Sequence, residues 1–117
     1  MSNRFALKAW AETLREVAFG SITDSLAPMG GSYEFPVRVY FFTNGTDETV
    51  YVSWNGTDNM FAILAGSSLT LDVTTNKSFD DGLYLGVGNS TYIAYQTVPT
   101  SGSVYLSIVY GTNGVTN

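Results

Sequence analysis

Apolar and polar residues alternate along most of the chain between Val37 and Tyr110, in short runs that Gly, Asn or Asp interrupt. A period of two is typical of strands that bury one face. Seven such runs joined by short turns predict an antiparallel β-sandwich of jelly-roll type over residues 37–111. The runs are Val37–Thr43, Thr49–Trp54, Phe61–Ala65, Leu69–Val73, Leu83–Val87, Thr91–Tyr95 and Val104–Tyr110. The first two flank Asn44-Gly45, a turn signal that predicts a hairpin between them.

A different spacing precedes these runs. Leu7, Trp10, Leu14 and Val17 follow the pattern i, i+3, i+7, i+10, which places them on one stripe of a helix. We therefore predict an amphipathic N-terminal helix in an arm of residues 1–20, followed by a connector over 21–36 and, after the sandwich, a polar tail over 112–117. A helix of this length is marginal alone in water, so its stripe must pack on its own sandwich, on a neighbouring subunit or on a membrane surface. The membrane surface is the least favoured, because the polar face of the helix is not rich in Lys or Arg.

The composition narrows the possible partners. Charged residues make up 13% of the 117 residues, about half of the usual fraction. From Gly20 onward, two basic residues face eight acidic ones, so the predicted sandwich has a net charge of −6. This balance disfavours nucleic acids and anionic membranes as partners. A surface with so few charges favours either a cover of Thr, Ser and Asn or contact with another protein.

Candidate chemistry is sparse. The chain contains neither histidine nor cysteine, which removes the common nucleophile systems and the usual zinc ligands. Carboxylate pairs remain for acid–base work, but acidic loop residues are common and their arrangement matches no calcium loop. We therefore predict a protein that is not an enzyme and has no cofactor and no metal site. The candidate carboxylates are Asp58, Asp72, Asp80 and Asp81.

Aromatic residues suggest where the protein makes contacts. Tyr51, Tyr84 and Tyr105 fall opposite the core positions of their strands, as expected for a protein interface, a sugar platform or ordinary shielding. The predicted interface combines them with the helix stripe and comprises Leu7, Trp10, Leu14, Val17, Tyr51, Tyr84 and Tyr105. The chain also has four Asn-x-Ser/Thr triplets, which we interpret as turns, at Asn44, Asn55, Asn76 and Asn89.

Several short motifs follow one another in a characteristic order. They are Ala18-Phe19-Gly20-Ser21-Ile22, Phe35-Pro36-Val37-Arg38-Val39, Thr43-Asn44-Gly45-Thr46-Asp47, Val52-Ser53-Trp54-Asn55-Gly56, Ala65 to Asp72, Thr75-Asn76-Lys77 and Pro99 to Tyr105. This order resembles small virion proteins of tailed bacteriophages and covers nearly the whole chain. In size and strand count the chain is also similar to jelly-roll decoration (cement) proteins of phage capsids.

The resemblance implies a function but transfers no catalytic residue. It implies a homo-oligomeric virion protein that binds the major capsid protein and stabilises the head. Two alternatives stay open at this point. One is a head–tail adaptor or tail component, and the other is a carbohydrate-binding module that uses exposed tyrosines and Trp54.

Overall fold

The computed structural model describes residues 8–72 and 88–112, which form two antiparallel β-sheets. The first sheet has the order β1-β9-β4-β7, with β2 also paired to β9, and the second has the order β3-β8-β5-β6. The strands are β1 (Lys8–Ala11), β2 (Arg15–Ala18), β3 (Ala27–Pro28), β4 (Val37–Asn44), β5 (Val50–Ser53), β6 (Phe61–Ile63), β7 (Ser68–Asp72), β8 (Tyr92–Tyr95) and β9 (Ser103–Thr112).

Six of the seven predicted runs coincide with strands β4 to β9, and the seventh, Leu83–Val87, lies outside the described residues. The inner faces of both sheets contribute to one cluster of buried apolar side chains, as expected for two stacked sheets. The two sheets therefore fit a β-sandwich. From the first sheet the core takes Val37, Tyr40, Phe42, Val104, Leu106, Ile108 and Tyr110, and from the second it takes Val50, Val52, Ile63 and Ile93.

The predicted N-terminal helix is wrong. Within the described ranges there is no α-helix, and the segment forms β1, β2 and a single 3-10 turn at Phe19–Ser21. Both strands pair with β9: Ala11 lies opposite Val109 and Arg15 lies opposite Leu106. Three residues on the edge strand thus face two residues on β9, which is a one-residue β-bulge.

This bulge explains the misleading spacing. Trp10 lies opposite Tyr110 and Val17 lies opposite Val104, so both share the inner face of the sheet with those buried partners. In a regular strand, residues seven apart point to opposite faces, because the side-chain period is two. The extra residue restores the inward direction of Val17, and the resulting spacing imitates a helix.

The predicted hairpin between the first two runs is also wrong. β4 pairs with β7 and β9 in the first sheet, whereas β5 pairs with β6 and β8 in the second. The segment that contains Asn44-Gly45 therefore carries the chain from one sheet to the other. The strand from Val37 is nevertheless an inner strand of its sheet, which agrees with its apolar residues on both faces.

Candidate functional site

Three aromatic rings meet at the end of the first sheet where β1 begins. The ring centroids of Trp10 and Phe35 are 5.0 Å apart, and those of Trp10 and Tyr110 are 4.8 Å apart. Tyr110 is buried, while Trp10 and Phe35 keep 37% and 36% of their surfaces exposed. We call this set (Trp10, Phe35 and Tyr110) the Trp10 cluster. The half-exposed rings of Trp10 and Phe35 thus pack on the buried ring of Tyr110. Aromatic side chains held in this way are common anchors at protein interfaces.

An ion pair fixes the edge strand beside the Trp10 cluster. The Arg15 guanidinium donates to both carboxylate oxygens of Glu12, at 2.7 and 3.2 Å, and to the carbonyl oxygens of Met29 and Gly31. The hydroxyl of Tyr110 donates to Glu12 at 3.0 Å. These bonds tie Glu12, the residue after β1, to β2 and β9, and tie β2 to the 29–31 loop, so several independent contacts hold the chain close to Trp10.

The described residues of the predicted helix stripe lie on or between two strands and do not form one face of a helix. Trp10 and Val17 lie on the inner face of the sheet, and Val17 packs against the core. Leu14 sits in the bulge and keeps 53% of its surface exposed. Leu7 lies outside the described residues. Of this set, the structure leaves Trp10 and Leu14 available for contacts.

Two of the predicted outward tyrosines, Tyr51 and Tyr105, lie on different sheets. Tyr51 is half-buried on the outer side of β5, in the second sheet, and Tyr105 is half-buried on the outer side of β9, in the first. Tyr84 lies outside the described residues. The ring of Trp54 packs against Tyr40 and Phe61, with centroids 5.7 and 5.2 Å away. These contacts place Trp54 against the core rather than on a sugar-binding platform.

The opposite end of β9 is held by polar groups around Asn44, which is fully buried. Its side-chain amide donates to the carbonyl oxygens of Glu48 and Ile63, both at 2.8 Å, and its side-chain oxygen accepts from Thr46. Its backbone also bonds to Ser67 and Gly66. We call the loops 44–48, 64–67 and 98–103 the Asn44 end. Asn44 and Asn55 serve as turn residues, as predicted, since the Asn55 side chain caps Thr57 and Asp58.

Two glycines let the loops of the Asn44 end approach closely. A Cβ atom on Gly102, whose φ is +89°, would lie 2.0 Å from the carbonyl oxygen of Gly45. The backbone amide of Gly45 donates to Ser103 at 2.8 Å. Asp47 accepts hydrogen bonds from both the amide and the hydroxyl of Thr100, and the hydroxyl bond is the main reason that the pKa of Asp47 is lowered. Together these contacts join the 44–48 and 98–103 loops.

A buried hydroxyl group links the two sheets in the core. Thr91 Oγ1 lies 2.5 Å from the hydroxyl of Tyr33 and 2.8 Å from that of Tyr40. Burial raises the pKa of both tyrosines, since an ionised phenol is poorly solvated there. These groups are well away from solvent, which favours a structural role over a catalytic one.

Two of the four candidate carboxylates lie within the described residues, Asp58 between β5 and β6 and Asp72 at the end of β7. Asp58 accepts from the side chain of Asn55 at 3.1 Å in an exposed turn, and Asp72 lies on β7 opposite Val39. Asp80 and Asp81 lie outside the described residues. Within 8–72 and 88–112, no three acidic side chains converge on a point that would suit a metal ion. Over the same ranges, no helix has the length and hydropathy needed to span a membrane.

No family model, curated protein or solved structure matches this chain. The function must therefore be inferred from the surface of the protein, and the Trp10 cluster is the best-defined candidate for a binding site on it. Sequence reasoning identified Trp10 but missed Phe35, Glu12 and Arg15. Phe35 precedes a proline in an irregular segment, where no periodicity marks it. Glu12 and Arg15 are three residues apart, a spacing that also brings side chains together on a helix, so this pair could have been found from the sequence.

Proposed function

We propose that the protein is a non-enzymatic virion component of a tailed bacteriophage, a decoration protein that binds the major capsid protein and stabilises the head. The observation that carries the proposal is the Trp10 cluster, where two exposed rings are preorganised on a chain with very few charges. The resemblance of the sequence motifs to phage virion proteins supports the same assignment.

A decoration protein needs contact area and an anchor more than it needs chemistry. Stable interfaces bury about 1,200–2,000 Å², and most of their affinity comes from a few aromatic or arginine anchors. Trp10 and Phe35 suit this role because the ion pair and Tyr110 already hold them in place. Ordering these rings on binding therefore costs little conformational entropy.

The position and stoichiometry of the protein in purified particles test the proposal. Roughly hundreds of copies per particle are expected for a decoration protein, whereas about six or twelve copies indicate the neck or tail, in keeping with ring symmetries there. Absence of the protein from purified particles contradicts a position on the capsid as well as one in the neck or tail.

A pair of matched variants tests whether the Trp10 cluster is the anchor. Trp10→Ala removes an exposed ring of the cluster, while Phe41→Ala removes an equally exposed ring (39%) from the outer face of β4. We expect Trp10→Ala to weaken rebinding to particles stripped of the protein by at least tenfold, and Phe41→Ala to change it by less than threefold. Equal losses for both variants would exclude the Trp10 cluster as the contact. Circular dichroism of each variant confirms that it is folded before binding is measured.

A further inference from the structure

The Asn44 end carries a second exposed surface that the proposed anchor does not use. Leu64 and Val98 are the most exposed large apolar side chains of the described ranges, at 61% and 60%. Both lie at this end, because Leu64 follows Ile63 and Val98 follows Tyr95, and each of these preceding residues pairs with Val50. Phe19 joins them, since its amide donates to Gly102.

Acidic residues surround this apolar surface. Asp47 and Glu48 belong to the 44–48 loop, and Asp24 lies beside Tyr95, whose amide donates to the carbonyl oxygen of Thr23. The three loops of the Asn44 end contain no lysine or arginine. A partner for this surface should therefore combine apolar side chains with positive charge.

The first eight residues of the chain have that composition. They contain Arg4, Phe5, Leu7 and Lys8 and no acidic residue, whereas residues 9–117 hold three basic and ten acidic residues, a net charge of −7. Elsewhere in the described part, Arg15 is paired with Glu12 and Arg38 is buried. The charge complementary to the Asn44 end is thus concentrated in the N-terminal segment.

Residues 4–8 cannot reach the Asn44 end of their own chain. Lys8 lies opposite Thr112, nine residues along β9 from Ser103, which corresponds to about 30 Å. Arg4, Phe5 and Leu7 lie within four residues of Lys8, so even a fully extended chain places them at most about 14 Å from it. A contact between the two therefore requires a second molecule.

We propose that the N-terminal segment 1–8 of one copy docks on the Asn44 end of the next copy, so that molecules associate head to tail. Arg4 and Lys8 face the acidic residues of the neighbour, and Phe5 and Leu7 cover Leu64 and Val98. Such a heterologous contact generates a ring if it closes and a filament if it does not. The inference goes beyond the proposed function: it gives a geometry to the homo-oligomer that the sequence resemblance implies, and it concerns the isolated protein.

Charge reversal with rescue tests this contact. The weight-average mass of the full-length protein is measured by sedimentation velocity over a range of concentrations at low salt, where charge interactions are least screened. We expect the mass of the wild type to rise with concentration, and Arg4→Glu and Glu48→Lys each to weaken association by at least tenfold. The double variant should return to within about threefold of the wild type. Glu34→Lys is the matched control, since it makes the same charge change at an exposed site beside the Trp10 cluster and should not weaken association.

The apolar part of the contact has its own pair of variants. Leu64→Ser should weaken association at least fivefold, while Leu14→Ser, at a comparably exposed leucine, should leave it unchanged. A protein that stays monomeric at every concentration, a double variant without rescue, or equal effects of Glu48→Lys and Glu34→Lys would overturn the proposal. Because these measurements contain no particles, failure here leaves the stoichiometry test of the proposed function intact.

Discussion

The two ends of β9 are built from different interactions. At one end, Trp10, Phe35 and Tyr110 pack ring against ring and leave two rings half-exposed. At the other end, three loops are joined by the hydrogen bonds of the Asn44 side chain and by the close backbone contact between Gly45 and Gly102. Ring packing tolerates small shifts, since dispersion contacts are many and individually weak, whereas a buried amide needs each partner in place. The Asn44 end should therefore be the more sensitive to substitution.

The largest effect is expected from Gly102→Ala. The added Cβ atom would lie 2.0 Å from the Gly45 carbonyl oxygen, on a residue that already has a positive φ. We expect the free energy of unfolding to fall by about 4 kcal/mol or more, since backbone atoms of two loops must move. Urea denaturation measures this change. Gly66→Ala is the control, because its φ is +75° but its Cβ position is open, and it should cost about 1–2 kcal/mol. Equal costs for the two variants would show that the close approach is unimportant.

Asn44→Ala should have the next largest effect. It leaves the carbonyl oxygen of Ile63 and the amide of Thr46 without their partner in a buried site. We expect a loss of about 3 kcal/mol, measured by urea denaturation. Asn55→Ala removes a similar turn-capping side chain from an exposed turn, where water replaces it, so about 1 kcal/mol or less is expected. If Asn44→Ala proved as mild as Asn55→Ala, the contrast between the two ends would be lost.

Deletion of Leu14 probes the edge strand at the side of the Trp10 cluster. Without the bulge residue, either Trp10 or Val17 must turn to the outer face of the sheet, and burial of one side chain is lost. A loss of about 2 kcal/mol is expected. Leu14→Ser, which keeps the residue count, should stay within about 0.5 kcal/mol of the wild type. A deletion variant as stable as Leu14→Ser would mean that the bulge does not set the register.

The smallest effects are expected from pH, and they separate the two ends. The pKa of Asp47 is lowered by its bonds to Thr100, so its contribution to stability is present above about pH 3.9 and is lost as the pH falls through the folded-state pKa. Burial, followed by the bond to Glu12, raises the pKa of Tyr110. Its contribution is therefore present below about pH 10 and is lost as the pH rises through its folded-state pKa.

Two substitutions assign these pH effects. Asp47→Asn should flatten the acid side of a plot of denaturation midpoint against pH, and Tyr110→Phe should flatten part of the alkaline side. Each variant serves as the control for the other, since they lie at opposite ends of β9. An acid side that is unchanged in Asp47→Asn would exclude the Thr100 contact as its source.

Much of the β-rich part could be predicted from the sequence, because the side-chain period of a strand is a local property. Six predicted runs became β4 to β9. The pairing of those strands was less accessible. Asn44-Gly45 has the sequence of a tight hairpin turn, but its asparagine side chain bonds to Glu48 and Ile63 and the strands on either side join different sheets. Which partner a strand takes depends on tertiary packing that no short window of sequence contains.

The candidate site was predicted in part, for a related reason. Trp10 belongs to the predicted interface because of its place in an apolar stripe, but the helix predicted for that stripe is wrong. A bulge changes the phase of a strand by one residue, and a short window cannot distinguish that change from a helical period. Phe35 was missed because it contacts Trp10 from a segment 25 positions later in the chain.

The opposition of Lys8 and Thr112 on neighbouring strands has a mechanical consequence. A pulling force applied between these two residues breaks the hydrogen bonds of the β1–β9 ladder one after another. The same force applied between Lys8 and the loop at Gly102 loads many bonds of the ladder at once, in shear. The molecule should thus yield easily in the first direction and resist strongly in the second.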